Sequence, residues 1–339
     1  MTAVLWGGLA LTLLAGLSSG NCMLPMKFVR RWPWENLWLV FSLVSLVVLP
    51  WGLALLMVHD LAGVYASLTP MQWLAPFALG AGWGVAQVLF GISVARLGQA
   101  LGFAIIIGLG SLGGTLVPLF FKHRAVLGTG HGALILGGLA VMVVGILVSA
   151  RAGSRREQGQ PRAAGGSYTI ALLMAVVCGL LAPMVNYAFA FGQDIAVRAV
   201  QMGASPVHAA YAVWPVALAG GLVPNLAYCL YLLGKNRTWN RFGGPWLHDG
   251  WLHDGWLAVL MAIFWMGAMA LYGEASVYLG ALGTSVGYGL FQIFMIMTAN
   301  LGGVLTGEWT AAPAGARRTL YAGLVLLMVA TTLLAAGNR

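Results

Sequence analysis

Charged side chains are scarce in this sequence of 339 residues, at 7% of the composition. Soluble domains carry about a quarter. Apolar residues reach 60% here, so the chain cannot cover a folded surface with groups that water solvates. A water-soluble fold is thereby excluded, and lipid is the expected surrounding medium.

Cysteine and reactive motifs are also sparse. The three cysteines, Cys22, Cys178 and Cys229, are odd in number and lack framework spacing, so we expect apolar packing roles and no disulfide. The sequence shows no nucleotide-binding loop, metal-ligand cluster or nucleophile constellation. We therefore expect neither an enzyme nor ATP-driven transport, and no cofactor beyond a proton gradient as the driving force.

Long apolar runs dominate what is present. A helix needs about 20 apolar residues to cross the hydrocarbon core, and continuous runs of this length are not the alternating segments of a barrel. The sequence therefore predicts an all-α integral membrane protein with ten transmembrane helices at 3–26, 37–58, 72–95, 103–121, 132–150, 169–191, 208–233, 255–279, 284–305 and 319–336.

The basic residues between these runs predict the orientation. Of the 17 lysines and arginines, 13 follow the first, third, fifth, seventh and ninth spans, and the other four are Lys122, Arg124, Arg198 and Arg339. The positive-inside rule then predicts that both termini face outward. Because the charge is spread over short loops, we expect it to contact lipid headgroups and not nucleic acid.

An internal repeat divides the chain into two halves. Trp83, Gly91, Leu97 and Gly98 recur 182 residues later as Trp265, Gly273, Leu279 and Gly280. Five spans per half give a 5+5 inverted-topology repeat, the architecture of many alternating-access transporters. The predicted units are residues 1–150, a basic cytoplasmic linker at 151–168, and residues 169–339. Glycines four residues apart, such as Gly80 and Gly84, predict closely packed helices.

Polar side chains within the spans predict a central cavity. Such groups are costly in hydrocarbon and usually face the interior, and spans 5 and 10 nearly lack them, so we expect those two spans at the periphery. Amides, phenols and flat aromatic faces suit a small neutral sugar. The candidate substrate-binding residues are Gln87, Trp83, Asn186, Tyr211, Trp214, Asn225, Trp265, Tyr288, Gln292 and Asn300.

Glu274 is the one acidic residue well inside a predicted span. Because a carboxylate is costly in a low-dielectric medium, it is the first candidate for the group that binds and releases a coupled proton. The alternative is a structural carboxyl held by a neighbour such as Tyr278. The tandem WLHDGWLHDGW at 246–256 does not bring His248 and His253 onto one helix face, so we interpret it as a short duplication and not a metal site.

Several segments resemble the L-rhamnose/proton symporters of the drug/metabolite transporter superfamily. They are PMKFVRRWPWENLW at 25–38, LPW at 49–51, GWGVAQVLFGISVARLGQALG at 82–102, GTLVP at 114–118, GGLVPNLAYC at 220–229, YGEASVYLGALGTSVG at 272–287 and ANLGGVLTGEW at 299–309. The resemblance runs nearly end to end. It implies ten helices in a 5+5 inverted repeat and proton-driven uptake of a deoxy sugar, most simply L-rhamnose.

The sequence therefore predicts a secondary active transporter that imports a neutral deoxy sugar with a proton by alternating access. An exporter or facilitator of amino acids or other metabolites on the same fold remains the alternative within transport. A membrane-embedded enzyme and a sugar-sensing receptor are the alternatives from other classes.

Overall fold

A computed structural model of the chain describes residues 3–97, 99–156, 168–243 and 250–338. Within these ranges the regular structure is helical and contains no β-strand, so the all-α prediction is confirmed. Ten helical segments are long and apolar enough to cross a membrane. Large apolar side chains such as Leu56 and Phe121 are exposed on the outside of the bundle, as expected of a surface that lipid solvates.

We number the α-helices in chain order. They are α1 Ala3–Asn21, α2 Trp34–Leu43, α3 Leu49–Met57, α4 Leu61–Ala66, α5 Pro70–Leu97, α6 Gln99–Lys122, α7 Gly130–Arg156, α8 Tyr168–Leu181, α9 Met184–Phe191, α10 Gln193–Gln201, α11 Trp214–Asn236, α12 Trp256–Tyr278, α13 Val286–Leu305 and α14 Ala314–Gly337. Short 3₁₀ or π segments lie between some of them, including Leu24–Phe28, Val44–Val48, Ala209–Ala212, Thr238–Phe242 and Gly250–Gly255.

Two spans are interrupted near proline. Span 2 consists of α2 and α3 joined by the π-helical turn Val44–Val48, which precedes Pro50. Proline lacks an N–H and its ring clashes with the carbonyl four residues earlier, and a wider turn accommodates both effects. Span 6 is interrupted between α8 and α9, next to Pro183, and again at Gly192. It ends at Gln201, about ten residues beyond the end that the sequence predicted.

The two ends of the bundle differ in charge. Because the chain crosses repeatedly, loops after spans 1, 3, 5, 7 and 9 lie at one end, which we call the basic face. Loops after the even-numbered spans lie at the other end, which we call the opposite face. Helix α7 continues to Arg156 and α8 begins at Tyr168, so residues 157–167 of the predicted linker, with Arg162, lie outside the described residues, as does Arg339.

Glycine allows the closest helix contacts, as the sequence predicted. A Cβ added to Gly80 on α5 would lie 1.8 Å from the Ala217 carbonyl oxygen on α11, and one added to Gly84 would lie 2.4 Å from the Gly221 carbonyl oxygen. Only the absence of a side chain permits this approach.

Helices α7 and α14, which are spans 5 and 10, pack against each other more extensively than any other pair. Gly138 of α7 contacts Leu334 and Gly145 contacts Leu327, so the two helices run antiparallel. Their other helix contacts are with α6 and α13, which are spans 4 and 9. This position at one edge of the bundle agrees with the peripheral location expected from their few polar residues.

Candidate functional site

Two indole rings meet at the centre of the bundle. Trp83, near the middle of α5, and Trp265, near the middle of α12, stack with ring centroids 5.3 Å apart and an interplanar angle of 21°. Both side chains are buried, and Phe41 packs edge-on against Trp265. The Trp83 ring lies on Gly221, where a Cβ would clash. The sequence predicted that these rings face a cavity, whereas the structure places them against each other.

Asn186 is a hydrogen-bonding hub on α9. Its amide nitrogen donates to the carbonyl oxygens of Gly114 and Thr284, each at 2.9 Å, and its amide oxygen accepts from the Tyr272 hydroxyl at 2.6 Å. The side chain is 1% exposed. It therefore connects spans 4, 6 and 8 with the loop before span 9, on the side of the centre that faces the opposite face.

An aromatic cluster surrounds this hub. Tyr288, at the start of α13, lies against Gly114, where an added Cβ would be 2.1 Å from the ring. The Tyr272 ring stacks on Phe291 at 5.3 Å and meets Tyr288 edge-on at 6.0 Å. Gln292 is buried one helical turn after Tyr288. The structure thus brings together Asn186, Tyr288 and Gln292 of the predicted set.

Glu274 is hydrogen-bonded to Tyr211, one of the predicted substrate-binding residues. The Tyr211 hydroxyl donates to the Glu274 carboxylate at 2.5 Å. The sequence had suggested Tyr278, on the same span, as the alternative neighbour, but the partner in the structure, Tyr211, lies on span 7. Glu274 is partly exposed and Tyr211 is buried, so the carboxyl lies between the packed interior and the opposite face.

Trp214 lies between the aromatic cluster around Asn186 and the Tyr211–Glu274 pair. It stacks on Phe189 with centroids 4.6 Å apart, and Phe189 in turn meets Tyr272 edge-on at 5.8 Å. The indole nitrogen of Trp214 is buried and has no hydrogen-bond partner among the described residues. Since a buried donor without a partner costs free energy, this nitrogen is a place where a polar solute or water can gain a hydrogen bond.

The remaining candidates lie on the other side of the tryptophan pair, toward the basic face. Asn225 donates to the Gly221 carbonyl oxygen of its own helix and accepts from the Trp38 indole nitrogen at 3.1 Å. Gln87 lies one turn after Trp83 on α5 and is partly exposed. Asn300 donates to the Ile296 carbonyl oxygen within its own helix, α13.

Sequence reasoning missed Tyr272 and Trp38 as partners. Both occur in the segments that carry the family resemblance, Tyr272 two residues before Glu274 and Trp38 at the end of the first segment. Their position beside candidate residues was a usable signal. Which amide each would bind depended on helix packing.

Two cavities formed by the described residues lie away from the tryptophan pair. One, of about 130 Å³, opens at the opposite face between the start of α5 and the α9–α10 junction. The other, of about 370 Å³, lies on the lipid side of α5 and α11 beside the exposed Tyr231. Neither is lined by Trp83 or Trp265. The central chamber expected from the sequence therefore stays a prediction, and in this structure the two indole rings expected to line it stack on each other.

Comparison with known proteins places the whole chain in one family. The family model described as the L-rhamnose-proton symport protein (RhaT) matches residues 1–338. A relative from Cronobacter sakazakii is 28% identical over 333 residues, covering 96% of this chain and 95% of its own. Relatives from Escherichia coli O1:K1 and Klebsiella pneumoniae are 26% and 27% identical, each over 96% of both chains. All three are named L-rhamnose-proton symporters.

Proposed function

The chain belongs to the family of the L-rhamnose-proton symport protein, and we propose from this that it imports L-rhamnose together with a proton. The family is one of transporters and not of enzymes. The single observation that carries the proposal is the match over residues 1–338, which covers all ten spans. Because the relatives are bacterial, we assign the protein to the cytoplasmic membrane.

The contacts between spans support a 5+5 inverted repeat. Each span of one half has a counterpart five spans away in the other half. When two spans pack together, their counterparts also pack together in the main helix contacts. Span 1 packs on spans 8 and 9, and span 6 packs on spans 3 and 4. Span 3 packs on span 7, and span 8 packs on span 2. Five spans per half reverse the direction of the second half relative to the first, as alternating access requires.

The tryptophan pair supports the same symmetry. Trp83 and Trp265 are related by the 182-residue repeat, and the two rings touch. Two residues that are equivalent under a twofold rotation can contact each other only at the axis. The repeat axis then passes between these rings, near the middle of the membrane, where inverted-repeat transporters bind their substrates.

We assign sugar binding to the region between Trp83 and Asn186. Separation of the indole rings would expose flat faces for the C–H side of a sugar, and the amides of Gln87, Asn186 and Asn225 can bond hydroxyl groups. A sugar hydroxyl can accept a hydrogen bond from the Asn186 amide nitrogen in place of a backbone carbonyl oxygen, so the amide keeps a partner. The buried polar residues of the described chain include no lysine or arginine, which favours a neutral solute. Tyr211, Trp214, Tyr288, Gln292 and Asn300 complete the proposed set.

We assign proton coupling to Glu274. Its carboxyl lies next to the aromatic cluster and is held by the Tyr211 hydroxyl, so its protonation state can affect how spans 7 and 8 meet. A neutral carboxyl tolerates burial and a charged one requires water or a partner. The distribution of basic residues supports both termini facing outward, which impermeant labelling of terminal tags in intact cells would test.

Uptake of radiolabelled L-rhamnose into proteoliposomes under an imposed pH gradient tests the proposal. Accumulation should require an acidic exterior and should collapse when a protonophore is added. Counterflow with a panel of sugars and amino acids provides the substrate test. Uptake that ignores the proton gradient would refute symport, and counterflow with amino acids but not rhamnose would refute the substrate.

A further inference from the structure

One buried carboxylate joins the two halves at the basic face. Asp254, just before α12, accepts hydrogen bonds from the backbone N–H groups of Arg30, Arg31 and Trp32 at 3.1, 2.7 and 2.8 Å. Three consecutive N–H groups that point at one anion form a backbone nest, which favours negative charge. The donors belong to the loop after span 1, in the first half, and the acceptor belongs to the second half.

The surroundings of this contact exclude water. The Asp254 side chain is 1% exposed, and the His253 imidazole contacts the same carboxylate at 2.7 Å. The Trp32 ring packs edge-on against Phe242 and Trp251, with centroids 5.3 and 4.9 Å away. A buried carboxylate that lost these donors without gaining water would be strongly destabilised. The loop therefore either stays bound to Asp254 or separates far enough for water to enter.

The repeat provides an internal comparison at the opposite face. The 182-residue offset that relates Trp83 to Trp265 also relates Gln72 to Asp254. Gln72, on α5, accepts hydrogen bonds from the backbone and side chain of Thr69 at 2.9 and 3.1 Å. It therefore caps its own helix.

At the opposite face the described residues leave a small cavity between the halves, although Lys122 of the first half also bonds the Ala190 carbonyl oxygen of the second half. The cavity of about 130 Å³ at the opposite face is lined by Gln72, Ala75 and Pro76 on one side and by Phe191 and Gly192 on the other. Asp254 thus joins the halves at the basic face, whereas Gln72, at the repeat-related position, caps its own helix and lines a cavity at the opposite face. Such a difference between repeat-related positions is expected when the two ends open in turn.

We propose that Asp254 is a positioning residue for transport, which holds the basic-face end of the pathway closed in this structure. The second LHDG unit of the tandem sequence supplies this latch. When the protein changes state, the loop of residues 29–33 leaves Asp254, and water at the membrane surface solvates the freed carboxylate. This inference rests on the proposed alternating-access function. The experiments below give different results if the latch is wrong and if the proposed function is wrong.

Thiol accessibility at the two ends tests the latch. In a Cys178→Ser, Cys229→Ser background, native Cys22 reports on the basic face, since it lies buried just before the latched loop. A second protein, in which Cys22 is also replaced by Ser and Ala75 by Cys, reports on the cavity at the opposite face. With a charged thiol reagent on protein in nanodiscs, Asp254→Asn should raise labelling of Cys22 about tenfold and lower labelling at position 75, because charge-assisted hydrogen bonds are lost.

The tandem sequence offers a matched control. Asp249→Asn makes the same substitution in the first LHDG unit, which lies outside the described residues, and should leave both labelling rates unchanged. An equal effect of Asp249→Asn would contradict the assignment to Asp254. If both sites became more reactive in Asp254→Asn, the carboxylate would only stabilise the fold, and the proposal would be wrong. Unchanged rates at both sites would also refute it.

A crosslink provides a second measurement in case Asp254→Asn folds poorly. A disulfide between cysteines placed at Arg31 and Asp254 should abolish rhamnose counterflow when oxidised and permit it again after reduction. Counterflow that persists in the oxidised form would overturn the latch. If wild-type protein carries no rhamnose, the proposed function fails, whereas the labelling experiment needs no substrate and still decides the latch.

Discussion

The hydrogen bond between Tyr211 and Glu274 joins a phenol and a carboxyl from the consecutive spans 7 and 8, 63 residues apart in sequence. A carboxyl in this position can be neutral or charged, and only the charged form demands strong donors or water. Proton coupling has to depend on individual acidic side chains. Among the described residues the buried acidic side chains are Glu35 and Asp254, and both lie near the basic face.

We expect Glu274→Gln to abolish accumulation of rhamnose under a pH gradient while counterflow exchange continues. The amide keeps the size and the hydrogen bond to Tyr211 but cannot release a proton. Uptake and counterflow in the same proteoliposome preparation measure the two activities. Tyr211→Phe removes only the donor and should retain part of the accumulation. Wild-type accumulation by Glu274→Gln would exclude this residue from coupling.

We expect Trp83→Ala and Trp265→Ala to weaken rhamnose binding to similar extents, because the two rings occupy equivalent positions at the repeat axis. Loss of one aromatic face is worth about 1 kcal/mol, or about fivefold in affinity. Scintillation proximity binding to purified protein would measure it. Trp256→Ala, at an exposed position on the same helix as Trp265, is the control. Unchanged affinity in both central variants would make the pair a structural contact only.

At the scale of helices, glycine sets how close α5 and α11 can come. These helices carry Trp83 and Asn225, so their spacing positions both the tryptophan pair and the amide beyond it. The approach is closest where the Ala217 carbonyl faces Gly80.

Gly80→Ala should destabilise the protein by about 1–3 kcal/mol, the usual cost of inserting a methyl group into a packed contact. Thermal unfolding of purified protein in detergent, followed by tryptophan fluorescence, would measure this. Gly91→Ala on the same helix is the matched control, because a Cβ there has no neighbour within 4 Å. Equal stabilities of the two variants would contradict the close α5–α11 contact.

At the scale of the whole molecule, charged contacts join the halves at the basic face. Glu308, in the loop before α14, pairs with Lys27 in the loop after α1 and with Arg156 at the end of α7, the latter at 3.1 Å. The Arg156 guanidinium also lies over the Trp309 ring at 4.8 Å. These contacts add to the Asp254 latch at the same face.

Stability should therefore fall in acid through Glu308. Burial by itself raises the pKa of this carboxyl, but the hydrogen bonds and charges of Lys27 and Arg156 outweigh burial and lower the pKa below its ordinary value of 4.5. A lowered folded-state pKa stabilises the fold above the unfolded-state value, and this contribution is lost as the pH falls through the folded-state value.

The melting temperature of wild-type protein should thus decline below about pH 4.5, and the decline should be smaller in Glu308→Gln. Differential scanning fluorimetry across pH would show this. The pair is partly exposed, so the expected effect is under about 1 kcal/mol and weakens with salt. An identical decline in both proteins would assign acid sensitivity to other groups.

The sequence alone determined the helical class, the number of spans and nearly all their positions, because the transfer of each segment into lipid depends on its own length and composition. The bend in span 6 and its extension to Gln201 were missed, since an amphipathic helix beyond Gly192 carries too little apolar character to register. Glu274 and Asn186 were recognisable from the cost of polar groups in hydrocarbon.

Tertiary structure decided which of these groups meet. Asn186 pairs with Tyr272, Glu274 with Tyr211, and Asp254 with a loop more than 200 residues away. Trp83 and Trp265 carry identical rings at repeat-related positions, yet only the packing of α5 against α11 and α12 brings them into contact. Such pairings depend on distances between helices remote along the chain, and a local free energy of insertion contains no information about those distances.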